Sequence, residues 1–460
     1  MTAAYQLSKD TPSVDVYEAS HSVGGLAKSI ELWGQTVDIG PHRFFSSDTR
    51  VNSLWLEVVK DDYAMVSRLT RILYNGRLYH YPIKALDALS KLGFLEATRC
   101  MLSFGAERLY PTRDTSTFEG WVCSRFGRRL YEIFFETYSE KLWGIKCNEL
   151  DADFAAQRIK KLSLWEAARA ALFGDKGKTH KTLVDEFAYP IEGTGMVYNR
   201  MAQDIKQRGG QIFLNTPVKR VIVQDGIATG LELDDGEVRT YDHIISSMPL
   251  TMLVSRIGDV PEHIQSLNAR LRFRNTIIVF LEVAAADLFD DNWLYVHSTE
   301  LRTGRITNFR NWVPQLYRDR QTSIVALEYW CYDDDDFWNW TDEQLNALGM
   351  EEIRNTGLIG DATILHAHTH RIPRCYPVYS RGYKELLNPI ERYLSSIRNL
   401  QVIGRYGAFK YNNQDHSILM GMLAAENVLL QTGHNLWAIN TDYENYQESS
   451  VITKTGLVKR

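Results

Sequence analysis

Residues 14–26 read Val-Asp-Val-Tyr-Glu-Ala-Ser-His-Ser-Val-Gly-Gly-Leu, and this stretch decides the fold class. Its first five residues predict a short β-strand that ends at Glu18. An acidic residue at the end of the second strand of a dinucleotide-binding fold accepts hydrogen bonds from ribose hydroxyls. Gly24 and Gly25 follow as a bare turn whose backbone can approach a pyrophosphate. The stretch therefore predicts an α/β domain that binds a dinucleotide.

The residues before this stretch supply part of a βαβ unit. Residues 2–9 have a helical composition, and residues 10–13 break that helix before the strand. Because the chain begins inside the helix, we expect the first strand and the Gly-rich turn of the unit to be missing. We therefore expect the chain as given to hold its cofactor weakly. A strand ending in Gly-x-Gly-x-x-Gly upstream of Met1 would complete the unit.

A second glycine motif opens another helix. Residues 192–198 read Glu-Gly-Thr-Gly-Met-Val-Tyr, and Tyr198 occupies the place of the third glycine of a dinucleotide fingerprint. That place needs a small residue for close packing of helix on strand. We expect a structural turn and helix cap here.

Composition narrows the class of protein. The 460 residues are 44% hydrophobic and 24% charged with a net charge of −5, which indicates a folded protein without an electrostatic footprint for nucleic acid. The five cysteines form no CxxC pair, so neither a disulfide framework nor a zinc knuckle is indicated. No secretory signal and no apolar run long enough to span a membrane is present, and we expect a cytoplasmic location. The oligomeric state is open.

The order of predicted elements divides the chain. Residues 1–52, 190–265 and 395–432 are expected to form a discontinuous nucleotide domain that lacks its first strand. Residues 53–189 look mostly helical and are expected to be an insertion, whereas strands in 266–394 suit the floor of a substrate cleft. Residues 433–460 form a C-terminal tail.

The C-terminal part of the nucleotide domain carries further candidates. Gly404 and Arg405 follow a strand where a phosphate would need neutralising charge. Residues 411–418 then lead into a helix from about Ser417, whose N-terminus could stabilise negative charge.

These segments together resemble the FAD-binding motifs of flavin amine oxidases and protoporphyrinogen oxidase-like proteins. The resemblance rests on residues 18–26, Thr216-Pro217-Val218, residues 246–249 and residues 403–427. It implies FAD as cofactor and a two-domain, Rossmann-like α/β fold of the glutathione-reductase type, interleaved with a substrate domain of mixed sheet and helices. It also implies roles in cofactor binding. They are Glu18 at the adenosine ribose, Gly24, Gly25 and Leu26 on the pyrophosphate side, Val218 at the adenine, Gly404 and Arg405 at the phosphates, and Asp415, Ser417 and Ile418 on the ribityl side.

A second resemblance, to UDP-galactopyranose mutase, overlaps the first. It rests on Gly40-Pro41-His42-Arg43-Phe44, residues 76–83 and residues 138–144. It implies that His42 lies beside the flavin, and His42 and Arg43 are the catalytic candidates. It also implies that Tyr138 and Trp143 line the substrate site. Arg158, 15 residues after Trp143, could serve a diphosphate, and Tyr376 is a further substrate-binding candidate. The Thr-Arg-x-x-Glu-x-Lys segment of the mutases is absent, and residues 274–282 are more similar to the oxidase-type proteins.

Three functions remain open. The first is an FAD-dependent oxidoreductase that passes a hydride from an amine, a porphyrinogen-like molecule or another small substrate to flavin N5. The second is a redox-neutral nucleotide-sugar isomerase of the mutase type, acting in polysaccharide biosynthesis. The third is a non-catalytic homologue. His366, His368 and His370 share one face of a predicted strand, but no fourth ligand is evident and no metal is expected.

Overall fold

A computed structural model gives the fold, and it describes residues 1–11, 13–83, 85–153, 186–440, 450–454 and 456–459. The helices are α1 Thr2–Leu7, α2 Thr49–Val59, α3 Ala85–Leu92, α4 Phe94–Leu109, α5 Phe118–Phe126, α6 Arg128–Tyr131, α7 Thr137–Trp143, α8 Gly195–Gln207, α9 Leu250–Arg256, α10 Glu262–Asn268, α11 Asp342–Asn355, α12 Tyr383–Ser396, α13 Gly404–Gly407 and α14 Gln414–Leu429. The strands are β1 Asp15–Tyr17, β2 Ser29–Leu32, β3 Gln35–Asp38, β4 Tyr63–Ser67, β5 Thr70–Tyr74, β6 Arg77–His80, β7 Glu186–Pro190, β8 Gln211–Phe213, β9 Val218–Gln224, β10 Ile227–Leu233, β11 Val238–Thr240, β12 Ile244–Ser246, β13 Phe273–Val283, β14 Trp293–Val296, β15 Arg305–Asn308, β16 Ser323–Cys331, β17 Ile364–Pro377, β18 Leu400–Val402, β19 Ser450–Thr453 and β20 Gly456–Lys459.

The predicted nucleotide domain contains two pairs of short parallel strands. β1 pairs with β8, and β12 pairs with β18, while β9, β10 and β11 form an antiparallel meander. Helix α1 packs against α14 so closely that a Cβ added to Gly421 would lie 2.8 Å from Cβ of Thr2. The absence of a side chain at Gly421 therefore lets α1 pack closely against α14.

The region predicted to form the floor of the substrate cleft contains a mixed seven-stranded sheet in the order β17-β13-β16-β15-β14-β5-β6. Neighbouring strands are antiparallel except for β14 and β5, which are parallel. The register aligns His370, Ile278, Glu328, Arg305 and Tyr295 in one row across five strands. Because paired residues of a sheet point to the same face, these side chains share a face.

The described part of the insertion at 53–189 contains strands as well as helices. Helices α3 to α7 follow the hairpin of β5 and β6, which turns at Asn75 and Gly76 and then joins the edge of the large sheet. Strand β4 pairs with β7. The insertion thus supplies two strands to the substrate sheet, because the hairpin finds a parallel partner in β14.

The α/β fold with an interleaved sheet domain is confirmed, with one change near the site. Helix α14 begins at Gln414, earlier than the predicted start near Ser417, because Asn413 forms a capping box with His416. Asp415, Ser417 and Ile418 therefore lie in the helix. Among the described helices, none has the length and apolar composition needed to cross a bilayer.

Candidate functional site

The turn after β1 has the features of a dinucleotide cradle. Oε1 of Glu18 accepts hydrogen bonds from the backbone N of Ser20 at 2.8 Å and from its Oγ at 2.7 Å. Gly24 and Gly25 have φ of +104° and +57°, values that favour glycine. A Cβ added to Gly25 would meet no heavy atom within 4 Å. The turn therefore presents bare backbone to open space, which is the approach that a pyrophosphate requires.

His42 is held by its own loop. Gly40 has φ of +145°, and a Cβ at this position would lie 3.1 Å from Cε1 of His42 and 3.2 Å from its Nε2. The carbonyl of His42 accepts a hydrogen bond from Oγ1 of Thr194 at 2.9 Å. Nδ1 of His42 is buried and has no hydrogen-bond partner in the described part of the chain. Burial, followed by the charges of Arg305 and Arg405, lowers the pKa of His42 to about 3, so its ring is neutral at physiological pH.

The buried carboxylate of Asp38 is connected to the His42 loop through Thr194. Asp38 accepts hydrogen bonds from Oγ of Ser29 at 2.5 Å, from the hydroxyl of Tyr189 at 2.8 Å and from the backbone N of Thr194 at 3.1 Å. Burial raises the pKa of Asp38 to about 6, although these hydrogen bonds oppose the rise. A Cβ at Gly193 would lie 2.5 Å from Oγ of Ser29. The second glycine motif is thus a packed structural turn beside Asp38.

Arg305 and Glu328 form a buried, two-pronged ion pair, and the charge of Arg305 acts on His42. Nε of Arg305 donates to Oε1 of Glu328 at 2.7 Å, and Nη2 donates to Oε2. Their side chains are 14% and 2% exposed. Nη2 of Arg305 also lies 3.5 Å from the hydroxyl of Tyr376. The pair follows from the sheet register, which sets the two residues directly opposite each other on β15 and β16.

Arg405 lies against two tyrosine rings. Its Cζ is 4.7 Å from the ring centroid of Tyr376 and 4.3 Å from that of Tyr411. Nε donates to the carbonyl of Cys375 and Nη1 to that of Asn412, each at 3.1 Å. Stacking on the rings and hydrogen bonds to the backbone hold the guanidinium in one orientation. We name His42, Arg305, Tyr376, Arg405 and Tyr411 the arginine–tyrosine site.

Tyr138 forms one wall near this site. Its ring stacks on His297 with centroids 5.1 Å apart, and it meets Tyr295 and Trp330 edge-on. Burial raises the pKa of Tyr138 and of Tyr376 above that of ordinary tyrosine, so both hydroxyls stay protonated. Two protonated phenols are therefore available as hydrogen-bond donors.

Trp143 lies behind the site. It is fully buried and packs against Tyr376, Tyr379 and Tyr411, with ring centroids 5.9–6.3 Å apart. The structure therefore brings Trp143 together with the tyrosines of the site, as a support for their rings. Whether Tyr138 and Trp143 serve a substrate stays a prediction.

Three other residues were predicted to belong to the site: Arg43, Val218 and Arg158. Arg43 lies with its guanidinium 4.8 Å from the ring of Phe45. The carbonyl of Val218 accepts a hydrogen bond from Nη1 of Arg256 at 2.6 Å. Arg158 lies outside the described residues.

The remaining cofactor candidates lie on three helical elements. Leu26 is in the single helical turn after Gly24 and packs against the core, while Gly404 opens α13 with φ of +82°. Asp415 is buried in the first turn of α14, Ser417 is half-buried, and Ile418 is a core residue. Their roles at the cofactor stay predictions.

Arg305 of the arginine–tyrosine site and its partner Glu328 were not predicted from the sequence. Arg305 and Glu328 belong to no quoted motif, and only the fold brings them beside Tyr376. One signal was present, since Glu328 is the one charged residue in the apolar strand β16, and a buried carboxylate needs a partner. The three histidines of β17 do share a face, where His366 Nδ1 lies 2.7 Å from Oε2 of Glu282.

The donor set fits a flavin dinucleotide. The bare glycine turn and Glu18 suit the pyrophosphate and ribose, and the buried Nδ1 of His42 lacks a partner among the described residues.

Comparison with known proteins agrees with this fold. A family model described as flavin containing amine oxidoreductase matches residues 1–429. A crystal structure of reduced UDP-galactopyranose mutase superposes with a TM-score of 0.83 at 20% sequence identity, covering 94% of each chain.

Two further structures share the architecture. A protein from Exiguobacterium sp. 255-15, provisionally assigned as a protoporphyrinogen oxidase, gives a TM-score of 0.70 at 16% identity and covers 94% of this chain and 96% of its own. An engineered putrescine oxidase gives 0.60 at 16% identity with the same coverage. At these identities the likeness establishes the fold alone.

Proposed function

The chain belongs to the family of flavin containing amine oxidoreductases, with FAD as its cofactor, and from this premise we propose that it is an oxidoreductase whose substrate carries negative charge. Bound FAD supplies reversible two-electron chemistry by accepting a hydride at flavin N5. Glu18 and the Gly24-Gly25 turn would hold the ribose and pyrophosphate.

The charge of the arginine–tyrosine site carries this proposal. Glu328 compensates Arg305, whereas Arg405 forms no ion pair with any described residue and contacts two tyrosine rings and two backbone carbonyls. His42 is neutral. The site therefore has a net positive charge from Arg405, in a low-dielectric setting where charge interactions are strong.

This charge selects between substrate classes. A protonated amine would approach a guanidinium that no carboxylate neutralises, and such a like-charge encounter is a strong element of rejection. A carboxylate or phosphate would instead gain charge-assisted hydrogen bonds. The hydroxyls of Tyr138 and Tyr376 would orient the substrate as donors. His42, with its low pKa, would act as a neutral neighbour of the reacting carbon.

A second candidate function has an observation of its own. Two tyrosine rings flank one guanidinium at Arg405, and this arrangement suits the diphosphate of a nucleotide sugar together with a planar base or sugar face. A redox-neutral isomerase of the UDP-galactopyranose mutase type is therefore the alternative.

One experiment tests the proposed function and separates the alternative. The purified, FAD-loaded protein is mixed anaerobically with matched substrates that carry either a carboxylate or phosphate, or an ammonium group, and flavin absorbance is followed. Bleaching by the anionic set alone supports the proposal, whereas bleaching by the amines alone contradicts it. Turnover of UDP-galactopyranose only after dithionite reduction, without net electron transfer, would select the isomerase.

A further inference from the structure

Helix α4 carries an apolar face that no described residue covers. Large apolar side chains on the helix and at its end are mostly open to solvent. They are Phe94 (85% exposed), Leu95 (74%), Met101 (56%), Leu102 (69%), Leu109 (77%) and Tyr110 (82%). Elsewhere in the described chain, exposed large apolar residues occur singly or as the pair Leu429 and Leu430.

The exposed side chains form one stripe. Leu95, Leu102 and Leu109 recur at seven-residue steps, which places them above one another on a helix. Cys100 lies on the opposite face and is buried, and the close approach of Gly127 to Phe104 shows where α4 rests on the protein. The helix is thus amphipathic, but its apolar stripe faces solvent instead of the protein core.

The size of the stripe calls for a partner. Burying six such side chains removes on the order of 800 Å² from water, more than the ~300–600 Å² of the largest apolar patch on a typical monomer. Helix α4 has 16 residues, a length of about 24 Å, which is short of the ~30 Å hydrocarbon core of a bilayer. It therefore suits a surface on which it lies rather than one that it crosses.

Charges around the stripe distinguish between partners. Arg108 and Arg113 form no ion pair with any described residue, and the Arg108 guanidinium lies 4.9 Å from the ring of Phe104. Three of the four neighbouring carboxylates are already in ion pairs. Glu96 binds Arg99 and Arg129, Glu107 accepts from Thr112, Asp114 binds Ser116 and Arg381, and Glu119 binds Arg128.

We propose that α4 docks the protein on a lipid surface with anionic headgroups. A second copy presenting the same stripe would bring two further arginines and only one neighbouring carboxylate, Glu107, that has no ion pair with a described residue. Phosphate headgroups supply the missing negative charge, and the acyl boundary receives the leucines. Arg108 and Arg113 then lie at headgroup level, as cations flanking an interfacial helix do.

The test is co-sedimentation of the full FAD-loaded chain with vesicles. Phosphatidylcholine vesicles are compared with mixed phosphatidylcholine and phosphatidylglycerol vesicles at low and high salt. We expect binding to the mixed vesicles, weakened by salt because surface charges are screened. Leu102→Glu should lower the vesicle-bound to free ratio on the order of tenfold. Arg108→Gln with Arg113→Gln should lower it about fivefold for each arginine.

Leu430→Glu is the matched control, because Leu430 is also 69% exposed and lies at the end of α14, outside the stripe. It should bind as the unmodified chain does, and flavin absorbance should show that every variant is folded. Absence of binding to mixed vesicles overturns the proposal. So does equal loss in Leu430→Glu, or a lipid-free dimer that Leu102→Glu converts to a monomer, since that identifies a second copy as the partner.

Discussion

Nε of Arg305 donates a hydrogen bond of 2.7 Å to Oε1 of Glu328, where the Glu328 side chain is 2% exposed. Replacing Glu328 by Gln would leave the buried guanidinium without its counter-charge. Breaking a buried pair from one side costs about 3–5 kcal/mol of the free energy of unfolding. We expect Glu328→Gln to lose stability of this size in denaturant unfolding.

Glu31→Gln is the control for this prediction, because Glu31 and Arg318 form a pair with side chains 61% and 53% exposed. Such surface pairs contribute about 0–1 kcal/mol. Similar losses in the two variants would show that Glu328 is not a buried counter-charge.

Arg405→Gln removes the positive charge that the proposed function assigns to substrate. A charge-assisted hydrogen bond contributes about 1.5–3 kcal/mol, so we expect KM for an anionic substrate to rise about tenfold to a hundredfold while kcat changes less. The ratio of flavin to protein absorbance after gel filtration is measured in parallel. Loss of flavin with unchanged KM would instead place Arg405 at the phosphates of FAD, as the sequence resemblance implies.

Trp143→Ala tests the support behind the site. Trp143 is fully buried against Tyr376, Tyr379 and Tyr411, so its removal leaves a cavity that costs about 3–5 kcal/mol of stability. The loosened tyrosines should raise KM more than they lower flavin content. Trp143→Phe keeps most of the packing and should restore much of both. A colourless Trp143→Ala protein with unchanged KM would refute this role.

The sequence was sufficient for the parts of the fold that local patterns encode. Glu18, the Gly24-Gly25 turn and the hairpin at Asn75-Gly76 each depend on residues close in the chain, and their conformations follow from propensity and glycine geometry. Family resemblance predicted His42 and Tyr138 as site residues from their motifs. These predictions needed no knowledge of how distant strands align.

The charge of the site depends on long-range pairing and could not be predicted in this way. Arg305 and Glu328 are 23 residues apart, and only the register of β15 with β16 sets them side by side. The outward apolar stripe of α4 was also hidden, because its periodicity is that of an ordinary buried helix. Which face a helix buries is decided by its neighbours.

Gly40→Ala should disturb His42 through direct contact. An added Cβ would lie 3.1–3.2 Å from the imidazole. The alanine would also have to adopt the φ of +145° that Gly40 has. Backbone strain of this kind costs about 1–3 kcal/mol. Gly236→Ala is the matched control, because Gly236 has φ of +85° with no heavy atom within 4 Å of the added Cβ. Both should lose stability, but only Gly40→Ala should shift the flavin spectrum. A spectrum unchanged in Gly40→Ala would mean that His42 does not lie beside the flavin.

The pH dependence of stability should separate His42 from Asp38, because burial shifts the two pKa values in opposite directions. His42 has a folded pKa of about 3, against about 6.5 when unfolded, so the unfolded chain binds more protons between these values and stability falls as pH drops below about 6.5. Asp38 has a folded pKa of about 6, against about 3.9 when unfolded. The folded chain therefore holds the extra proton, and the Asp38 contribution rises as pH drops from about 6 to 4.

Two variants at these positions make the contrast measurable. Between pH 7 and pH 5, His42→Asn should lose less Tm than the unmodified chain, because it lacks the imidazole that must be charged. Asp38→Asn should lose more, because it lacks the carboxyl whose protonation favours the folded state. Tm is followed by intrinsic fluorescence in buffers of matched ionic strength, since screening changes with salt. Comparing the change in Tm within each variant removes the general cost of the substitution. Parallel Tm–pH curves for all three proteins would show that neither group has the buried environment that its contacts in the structure imply.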